Sequence, residues 1–303
     1  VDSQSIKELL IYADTALLSA KESGRNQIQW LNAKMMAATL RKTKVDSKLA
    51  VAIREGRIFP HYQPEVDLQT GKIIGFEALA RWHDEELGMV SPAEFIPLAD
   101  QSGGIDPLTE RFFAQVVKDS HTIRDHFPNA KIALNSSPQL LAGKRLLNIL
   151  SHLASELDNG LDGFVLEITE SAAMRDPEQA LDILNQLAAM HFQIAVDDFG
   201  TGYSSLAYLK RFPVTELKID RSLVQGADLD TDGQIILEST IEMGHIMGLL
   251  VTTEGVETQS EYELVKKLGA DYVQGFWLSK PMPFEEFKLK HLVGNHDELV
   301  PYI

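Results

Sequence analysis

Two adjacent carboxylates, Asp197 and Asp198, end an apolar run at residues 192–196 and are followed by two glycines and two serines. Neighbouring residues of a strand point to opposite faces, so this pair can serve one centre only at a strand end, where the backbone turns. Two carboxylates held close together are costly unless a cation lies between them. Taken alone, the Asp-Asp-Phe-Gly segment is equally consistent with a solvated turn.

Other short apolar segments of the chain carry polar residues near their carboxyl ends. These residues are Glu77, Asn135, Glu167, Lys218, Asp220, Glu254 and Gln274. Each one alone fits a turn or a helix cap. In a parallel barrel, however, the carboxyl ends of successive strands meet at one mouth, where barrel enzymes carry their chemistry. When Asp197 and Asp198 are included, seven segments carry polar residues near their carboxyl ends. This recurrence predicts that the residues form a single site.

Such a site would be too acidic without bound cations. Its five carboxylates would face a single lysine, Lys218; they belong to Glu77, Glu167, Asp197, Asp198 and Glu254. Two divalent cations beside the lysine would roughly balance this charge. The candidate ligands are all oxygen donors and the chain has no cysteine, so we expect Mg²⁺ or Mn²⁺ rather than zinc. Asp197 is well placed to bridge the two ions, with Asp198 on the second.

Two ions about 4 Å apart are the usual clamp for in-line hydrolysis of a phosphodiester. Lys218 could position or deprotonate the water that the ions acidify. Arg81 follows Glu77 by four residues, so in a strand it points to the same face and could bind a phosphate oxygen. The residues alone therefore indicate metal-dependent hydrolysis of a phosphodiester.

The amino-acid composition excludes several classes of protein and of binding partner. The 303 residues are 44% hydrophobic and 24% charged, as in ordinary globular proteins. Without cysteine there are no disulfides and no thiolate nucleophile. A net charge of −16 argues against a nucleic-acid polymer as partner, although a small anionic ligand fits if metal ions invert the local field. No apolar run approaches the roughly 20 residues that span a bilayer.

Strands and helices are predicted to alternate after an opening hairpin. The predicted strands are 58–66, 72–82, 131–135, 164–168, 192–196, 216–219, 249–253 and 270–274. The predicted helices are 6–20, 28–40, 92–100, 107–127, 138–157, 177–191, 206–212, 232–247 and 258–268. The five-residue turn 67–71 makes the first two strands antiparallel. The acidic run at 84–86 is predicted to be a solvated loop.

This pattern predicts an α/β fold, a (β/α)8 TIM-like barrel with an antiparallel first strand and an N-terminal helical extension. An open doubly wound sheet is the alternative, but its Gly-rich fingerprint after the first strand is missing.

The same residues resemble a known family, the EAL domain, from about residue 46 to about 290. The segments that carry the resemblance are Tyr62-Gln63-Pro64, Glu77-Ala78-Leu79-Ala80-Arg81-Trp82, Asn135, Glu167-Ile168-Thr169-Glu170, Asp197-Asp198-Phe199-Gly200-Thr201-Gly202-Tyr203-Ser204-Ser205, Leu217-Lys218-Ile219-Asp220, Glu254-Gly255-Val256-Glu257-Thr258 and Gln274-Gly275. Departures from the family pattern are small. One is that Thr252 and Thr253 precede Glu254, where an apolar residue and Ala are common.

The resemblance implies a phosphodiesterase that converts cyclic di-GMP to linear 5′-pGpG with two Mg²⁺ or Mn²⁺ ions, and that Ca²⁺ inhibits. The implied ligands of one ion are Glu77, Asn135, Glu167 and Asp197, and those of the other are Asp197, Asp198 and Glu254. The implied catalytic residues are Glu77, Asp198, Lys218 and Glu254, with Lys218 serving the attacking water. The implied substrate contacts are Gln63, Arg81, Asp220, Gln274 and Pro283.

The resemblance also implies regulation through a homodimer. Glu170 would hold the loop after Asp198, which in this family lies near the dimer contact and couples dimerisation to metal binding. The implied loop residues are Gly200, Thr201, Gly202, Tyr203 and Ser204.

The first residues resemble the last segment of a GGDEF domain, and the segments that carry this resemblance are Ala13-Asp14-Thr15-Ala16-Leu17, Ala20-Lys21 and Gly24-Arg25-Asn26. We therefore expect a GGDEF remnant at 1–26, a linker helix at 27–45, the EAL domain at 46–295 and a C-terminal tail at 296–303. The parent would be a tandem GGDEF–EAL protein with sensory domains in cis, this domain would be cytoplasmic, and the parent could carry a membrane anchor. The alternative function is a catalytically silent receptor for cyclic di-GMP, and the complete set of carboxylates with Lys218 favours the enzyme.

Overall fold

The chain divides into a helical unit, Val1–Arg57 with Trp82–Gly104, and a barrel unit, Ile58–Arg81 with Ile105–Ile303. The structure is a computed structural model. It describes residues 10, 13, 14, 16, 17, 20, 21, 26, 28–30, 32–155, 161–201 and 206–292, the side chains of 291 and 292 excepted. The helix predicted at 6–20 and the GGDEF remnant lie largely outside the described residues.

Nine strands are present in the described residues. They are β1 (Ile58–Asp67), β2 (Ile73–Asp84), β3 (Gly88–Val90), β4 (Lys131–Ser136), β5 (Phe164–Thr169), β6 (Gln193–Phe199), β7 (Glu216–Ile219), β8 (Leu250–Thr253) and β9 (Tyr272–Val273). Each of the eight predicted strands is found, with ends shifted by up to three residues. The short strand β3 was not predicted.

The helices alternate with the strands. They are α1 (Ala33–Glu55), α2 (Pro92–Ser102), α3 (Ile105–His126), α4 (Pro138–Leu141), α5 (Arg145–Ser155), α6 (Glu170–Ala173), α7 (Pro177–Ala189), α8 (Leu206–Leu209), α9 (Arg221–Val224), α10 (Thr231–Ile246), α11 (Gln259–Lys267) and α12 (Phe284–Phe287), followed by a π turn at Lys288–Leu292. The single helix predicted at 138–157 is wrong, because the chain leaves the helix around Gly143. Within the described part, no helix is both long and apolar enough to cross a membrane.

The barrel unit contains a closed sheet. Strands β2 and β4 to β9 pair in parallel, β1 pairs antiparallel with β9, and β1 also pairs with β2. Eight strands therefore close a barrel whose first strand runs against the others, as predicted. The open doubly wound sheet is excluded.

Side chains of alternating size build the barrel wall. In β4 and β5 the residues that face the helices, such as Ile132, Leu134 and Leu166, are fully buried. The intervening residues face the lumen and are small: Ala133, Val165 and Ala195 form one buried cluster. Large residues outside and small residues inside leave room in the lumen for the polar side chains near the mouth.

The helical unit is organised by α1. The helix begins after Asn32, whose side chain accepts the N–H of Met35, and ends at Gly56, whose left-handed φ of 69° favours glycine. Because α1 runs through residue 45 without a break, the predicted boundary between linker and domain falls inside one helix.

The acidic run at 84–86 is exposed in a turn at Glu85 and Glu86, as predicted, but the prediction is wrong for Asp84. Asp84 is 4% exposed. Its Oδ1 lies 2.7 Å from Lys48 Nζ and also accepts the N–H groups of Glu86 and Leu87.

Candidate active site

The polar residues predicted from strand ends gather at the carboxyl-terminal mouth of the barrel. Glu77, Glu167 and Lys218 are buried, whereas Asp197 and Glu254 are partly exposed. Asn135 is the last residue of β4 that faces the lumen, and it is exposed at the rim. It is paired in register with Glu167 of β5. The mouth is therefore a polar funnel that closes on the barrel lumen.

The ammonium of Lys218 lies at the centre of this funnel and is fully buried. It contacts Glu167 Oε1 directly and lies 2.7 Å from Glu254 Oε1, 3.5 Å from Glu65 Oε1 and 3.7 Å from Glu77 Oε2. One buried cation is thus shared by four carboxylates.

The carboxylates titrate abnormally because one lysine cannot balance them all. Burial raises the pKa of Glu167 and of Glu254 well above the usual range, against the attraction of Lys218. Burial likewise raises the pKa of Asp197 to about 6. Burial alone would lower the pKa of Lys218, but the surrounding carboxylates outweigh it and raise that pKa. The site thus holds more carboxyl groups than it can keep ionised with the lysine alone.

Glu77 is the exception because it receives hydrogen bonds. Asn135 Nδ2 donates to its Oε1 and Gln274 Nε2 donates to its Oε2, both at 2.6 Å. Burial would raise the pKa of Glu77, but Lys218 and these two donors lower it. Gln274 also donates to Gln63 Oε1 at 3.1 Å. These contacts link β1, β4 and the residue that follows β9 to one carboxylate of β2.

A β-bulge turns the Asp197–Asp198 pair. The pairing of β6 with β7 shifts register between Val196 and Phe199, and Asp198 has a φ of 55°. A left-handed backbone is uncommon outside glycine, and Asp tolerates it better than most residues. The N–H of Asp198 donates to Asp197 Oδ1 at 2.8 Å. This is the backbone turn that two adjacent carboxylates need in order to serve one centre.

The donor set fits hard divalent cations. Glu167 Oε2 is buried and has no hydrogen-bond partner, so a ligand is available where one of the ions was predicted. In the part of the chain that the structure describes, no three carboxylate or imidazole groups already form a metal-binding cluster. The ammonium of Lys218 lies among the same acidic oxygens.

The loop after Asp198 is tied to Glu170 by a hydrogen bond. Glu170 is buried at the start of α6, and its Oε2 accepts the N–H of Gly200 at 3.3 Å. Gly200 has a φ of 101°, and a Cβ there would lie 2.5 Å from Leu223 Cδ1, so only glycine fits. Thr201 Oγ1 donates to the carbonyl of Asp198 at 2.9 Å. The other predicted loop residues, Gly202, Tyr203 and Ser204, lie outside the described residues.

A cavity of about 240 Å³ opens onto the funnel. Gln63 and Gln274 line it together with Glu77, Asp197 and Glu254. Six lining residues were not among the predicted site residues: Leu79, Arg221, Gly255, Glu257, Gly275 and Phe276.

The other predicted substrate contacts do not line this cavity. Arg81 is half-buried, and its Nη1 donates to the carbonyl of Ala80. Burial lowers the pKa of Arg81, and the nearby Glu77 opposes that shift. Asp220 caps α9 by accepting the N–H of Ser222, and Pro283 is exposed before α12.

Sequence reasoning missed Glu65, the fourth carboxylate at Lys218. Glu65 follows Gln63 by two residues in β1 and so faces the same lumen. Because β1 runs antiparallel, Glu65 lies deeper than Gln63, so a search of carboxyl ends could not find it. The alternation Gln63–Glu65 in a buried strand was the available signal.

A larger cavity, of about 460 Å³, lies at the opposite end of the barrel. Its lining includes Lys72, Lys131 and Tyr272 near the starts of their strands, and no carboxylate. Barrel enzymes carry their chemistry at the carboxyl-terminal face, so the smaller acidic cavity is the candidate active site.

Fold and site together define a (β/α)8 barrel protein with an acidic, lysine-centred mouth suited to divalent cations. Residues 46–281 match the EAL domain family. The chain therefore belongs to the EAL domain family.

Two curated relatives illustrate the match. The chain is 37% identical over 286 residues to the bifunctional diguanylate cyclase/cyclic di-GMP phosphodiesterase MucR of Pseudomonas aeruginosa, covering 94% of this chain and 42% of that protein. It is 33% identical over 280 residues to the cyclic di-GMP phosphodiesterase PdeR of Escherichia coli, covering 92% of this chain and 42% of that protein. The chain thus spans about two fifths of the length of these relatives.

A solved structure shares the fold. The MucR phosphodiesterase of Pseudomonas aeruginosa in complex with c-di-GMP superposes with a TM-score of 0.76 at 37% identity. The match covers 80% of this chain and 99% of that one.

Proposed function

We propose that this domain is a metal-dependent phosphodiesterase that opens cyclic di-GMP to linear 5′-pGpG. The observation that carries the proposal is the convergence of Lys218 with Glu77, Glu167 and Glu254 inside an EAL-family barrel. The names of MucR and PdeR, which include cyclic di-GMP phosphodiesterase, support the choice of substrate.

The proposed metal ligands are those that the resemblance to the EAL family implies. Glu77, Asn135, Glu167 and Asp197 would hold one Mg²⁺ or Mn²⁺ ion, and Asp197, Asp198 and Glu254 would hold the other. When bound, the two ions acidify a water molecule and neutralise charge on the phosphate. Burial raises the pKa of Glu167 and of Glu254, and bound divalent ions would keep both carboxylates ionised.

Lys218 would orient the attacking water and stabilise the negative charge that develops on phosphorus oxygens. The water oxygen bonds to phosphorus while the bond from phosphorus to the 3′ oxygen breaks. The 3′ oxygen gains a proton, and the water proton leaves to a base of the mouth. One phosphodiester thus becomes a 5′ phosphate and a 3′ hydroxyl, which is the linear dinucleotide.

Two glutamines would read the rest of the substrate. Gln63 and Gln274 line the cavity, and Gln274 Oε1 is buried without a hydrogen-bond partner. An unpartnered acceptor in a ligand cavity is a ready site for a donor of the substrate. Arg81, Asp220 and Pro283 remain candidates for contacts at the rim.

The wider assembly is also a proposal. The domain would work as a homodimer, with Glu170 and the loop at 200–204 coupling dimerisation to metal binding. A GGDEF domain and sensory domains would lie in cis, with this domain in the cytoplasm and its substrate a cyclic dinucleotide rather than a nucleic-acid polymer.

The test is to incubate the purified domain with cyclic di-GMP and Mg²⁺, Mn²⁺ or Ca²⁺ and to separate the products by chromatography. We expect pGpG with Mg²⁺ and Mn²⁺ and none with a chelator. We expect inhibition by Ca²⁺, because it prefers more ligands at longer distances than Mg²⁺ does. Cyclic di-AMP serves as the matched control substrate.

The competing function is a receptor that binds cyclic di-GMP without turnover. Calorimetry would detect binding in either case. Binding with no pGpG after hours of incubation with Mg²⁺ or Mn²⁺ would establish the receptor and reject the enzyme.

A further inference from the structure

A second polar layer lies beneath the funnel. It consists of Glu65, Glu216 and Thr252, which are 3%, 3% and 0% exposed. Each is two residues from a residue of the mouth: Glu65 from Gln63, Glu216 from Lys218, and Thr252 from Glu254. A spacing of two in a strand keeps the side chain on the same face, so all three point into the lumen. Buried carboxylates in a barrel lumen need an explanation.

The two carboxylates of this layer have different partners. Glu216 Oε1 accepts the hydroxyl of Thr252 at 2.5 Å. This pairing accounts for the threonine that replaces the usual apolar residue before Glu254. Glu65 Oε1 instead lies 3.5 Å from the ammonium of Lys218.

The barrel makes room for the Glu65 carboxylate. A Cβ at Gly75, on the neighbouring strand β2, would lie 2.9 Å from the carbonyl oxygen of Lys131 and 3.3 Å from Glu65 Oε2. Glycine at that position therefore avoids a clash with the backbone of β4 and also leaves the carboxylate space under the lysine.

Lys218 and the divalent cations would compete for the same carboxylates. Of the four carboxylates around Lys218, Glu77, Glu167 and Glu254 are assigned as metal ligands, and Glu65 is not. Ions bound to those three would repel the ammonium and take its acceptors. A buried ammonium still needs a counter-charge, because an unpaired one is strongly disfavoured.

We propose that Glu65 is a positioning residue that receives the ammonium of Lys218 when divalent ions take Glu77, Glu167 and Glu254, an inference that rests on the proposed function. Because Glu65 receives the ammonium, Lys218 can move away from the metal ligands. Lys218 then keeps its positive charge beneath the reacting phosphate. Metal affinity then depends on Glu65 through Lys218, although Glu65 itself binds no metal.

The test measures Mn²⁺ binding by calorimetry on the substrate-free protein, in a double-mutant cycle of Glu65→Gln and Lys218→Met. We expect Glu65→Gln to raise the Mn²⁺ Kd about tenfold, in the range of coupling between contacting residues. Lys218→Met removes the competing ammonium and should lower the Kd. In the Lys218→Met background, Glu65→Gln should change the Kd by less than about threefold.

Glu216→Gln is the matched control. It removes a carboxylate of the same layer and the same burial whose partner is Thr252 rather than the lysine. We expect a change in Kd of less than about threefold. Glu65→Asp keeps the charge and withdraws it by one methylene, so its Kd should fall between those of wild type and Glu65→Gln; it replaces Glu65→Gln in the cycle if that variant does not fold.

Two results would overturn the inference. One is that Glu65→Gln changes the Mn²⁺ Kd by the same factor with and without Lys218. That result would indicate a general electrostatic effect of the lost charge rather than an effect through the lysine. The other is an equal effect of Glu65→Gln and Glu216→Gln. Failure of the proposed function looks different, because the wild-type domain itself would then bind no Mn²⁺ or form no pGpG.

Discussion

Lys218 Nζ and Glu254 Oε1 lie 2.7 Å apart inside the barrel mouth, an ion pair whose lysine is fully buried. Under the proposed function, bound divalent ions would take over the acidic oxygens around this lysine and free it to act on the phosphate. The mouth would then exchange an ammonium for divalent ions at the same carboxylates.

Lys218→Ala should lower turnover of cyclic di-GMP by about 10²–10⁴-fold, the usual contribution of a positioned acid or base. Binding of the dinucleotide, measured by calorimetry with Ca²⁺, should persist because the cavity walls are unchanged. Unchanged turnover would remove Lys218 from the mechanism. Lys210→Ala, on an exposed lysine, is the control.

Asp197→Asn should abolish the activation by Mg²⁺, because an amide is a poor bridge between two cations. The measurement is the rate of pGpG formation as a function of Mg²⁺ concentration. Asp182→Asn, at an exposed position of α7, should leave that curve unchanged. A wild-type response of Asp197→Asn to Mg²⁺ would exclude the bridging role.

Glu170→Ala should lower activity although it removes none of the assigned metal ligands. The carboxylate that accepts the N–H of Gly200 would be lost, and the loop that leads away from Asp198 would lose its tether. The matched control is Glu178→Ala, an exposed carboxylate paired with Arg211. Equal rates for both variants and wild type would show that the loop needs no such tether.

Gly275→Ala should destabilise the barrel by about 1–3 kcal/mol, as overpacking usually does. A Cβ at this position would lie 2.1 Å from the backbone oxygen of Val256. Chemical unfolding in urea gives the measurement. Gly143→Ala is the control, since a Cβ there meets nothing within 4 Å. Equal midpoints for the two variants would contradict the steric argument.

Asp84→Asn should destabilise the protein at neutral pH and lose its effect in acid. The hydrogen bond from Lys48 lowers the pKa of Asp84 from 3.8 to about 2. A carboxyl group with a lowered folded-state pKa adds stability above its unfolded pKa, and that stability is lost as the pH falls toward the folded value. The difference in Tm between wild type and variant should therefore shrink below about pH 4. Glu85→Gln, its exposed neighbour, should show no such trend.

Much of the barrel could be predicted because its strands are short apolar runs between helices. Residues 216–219 illustrate this, since the predicted and observed strands coincide. The convergence of Glu77, Glu167 and Lys218 also followed from strand ends alone, because parallel strands bring those ends to one face.

The remaining features depend on backbone details that periodicity does not contain. The bulge at Asp197 and Asp198 is a register shift between β6 and β7, which only the neighbouring strand defines. Glu65 was missed because strand direction decides which residue lies deeper, and β1 runs opposite to the rest. The break at Gly143 divided a helix whose apolar spacing continued across it.

The antiparallel first strand has a consequence for how the protein folds. The hydrogen bonds of Gln274 join residues 211 and 197 positions away, and the bond from Gln63 to the carbonyl of Ser279 spans 216. Contacts this distant in sequence form slowly, since a long loop must close before they stabilise anything. During synthesis on the ribosome, the ring of strands around the mouth cannot close before β9 and the residues after it have been synthesised. Barrel closure and assembly of the site are thus one late event, and a chain that ends before residue 274 should have neither.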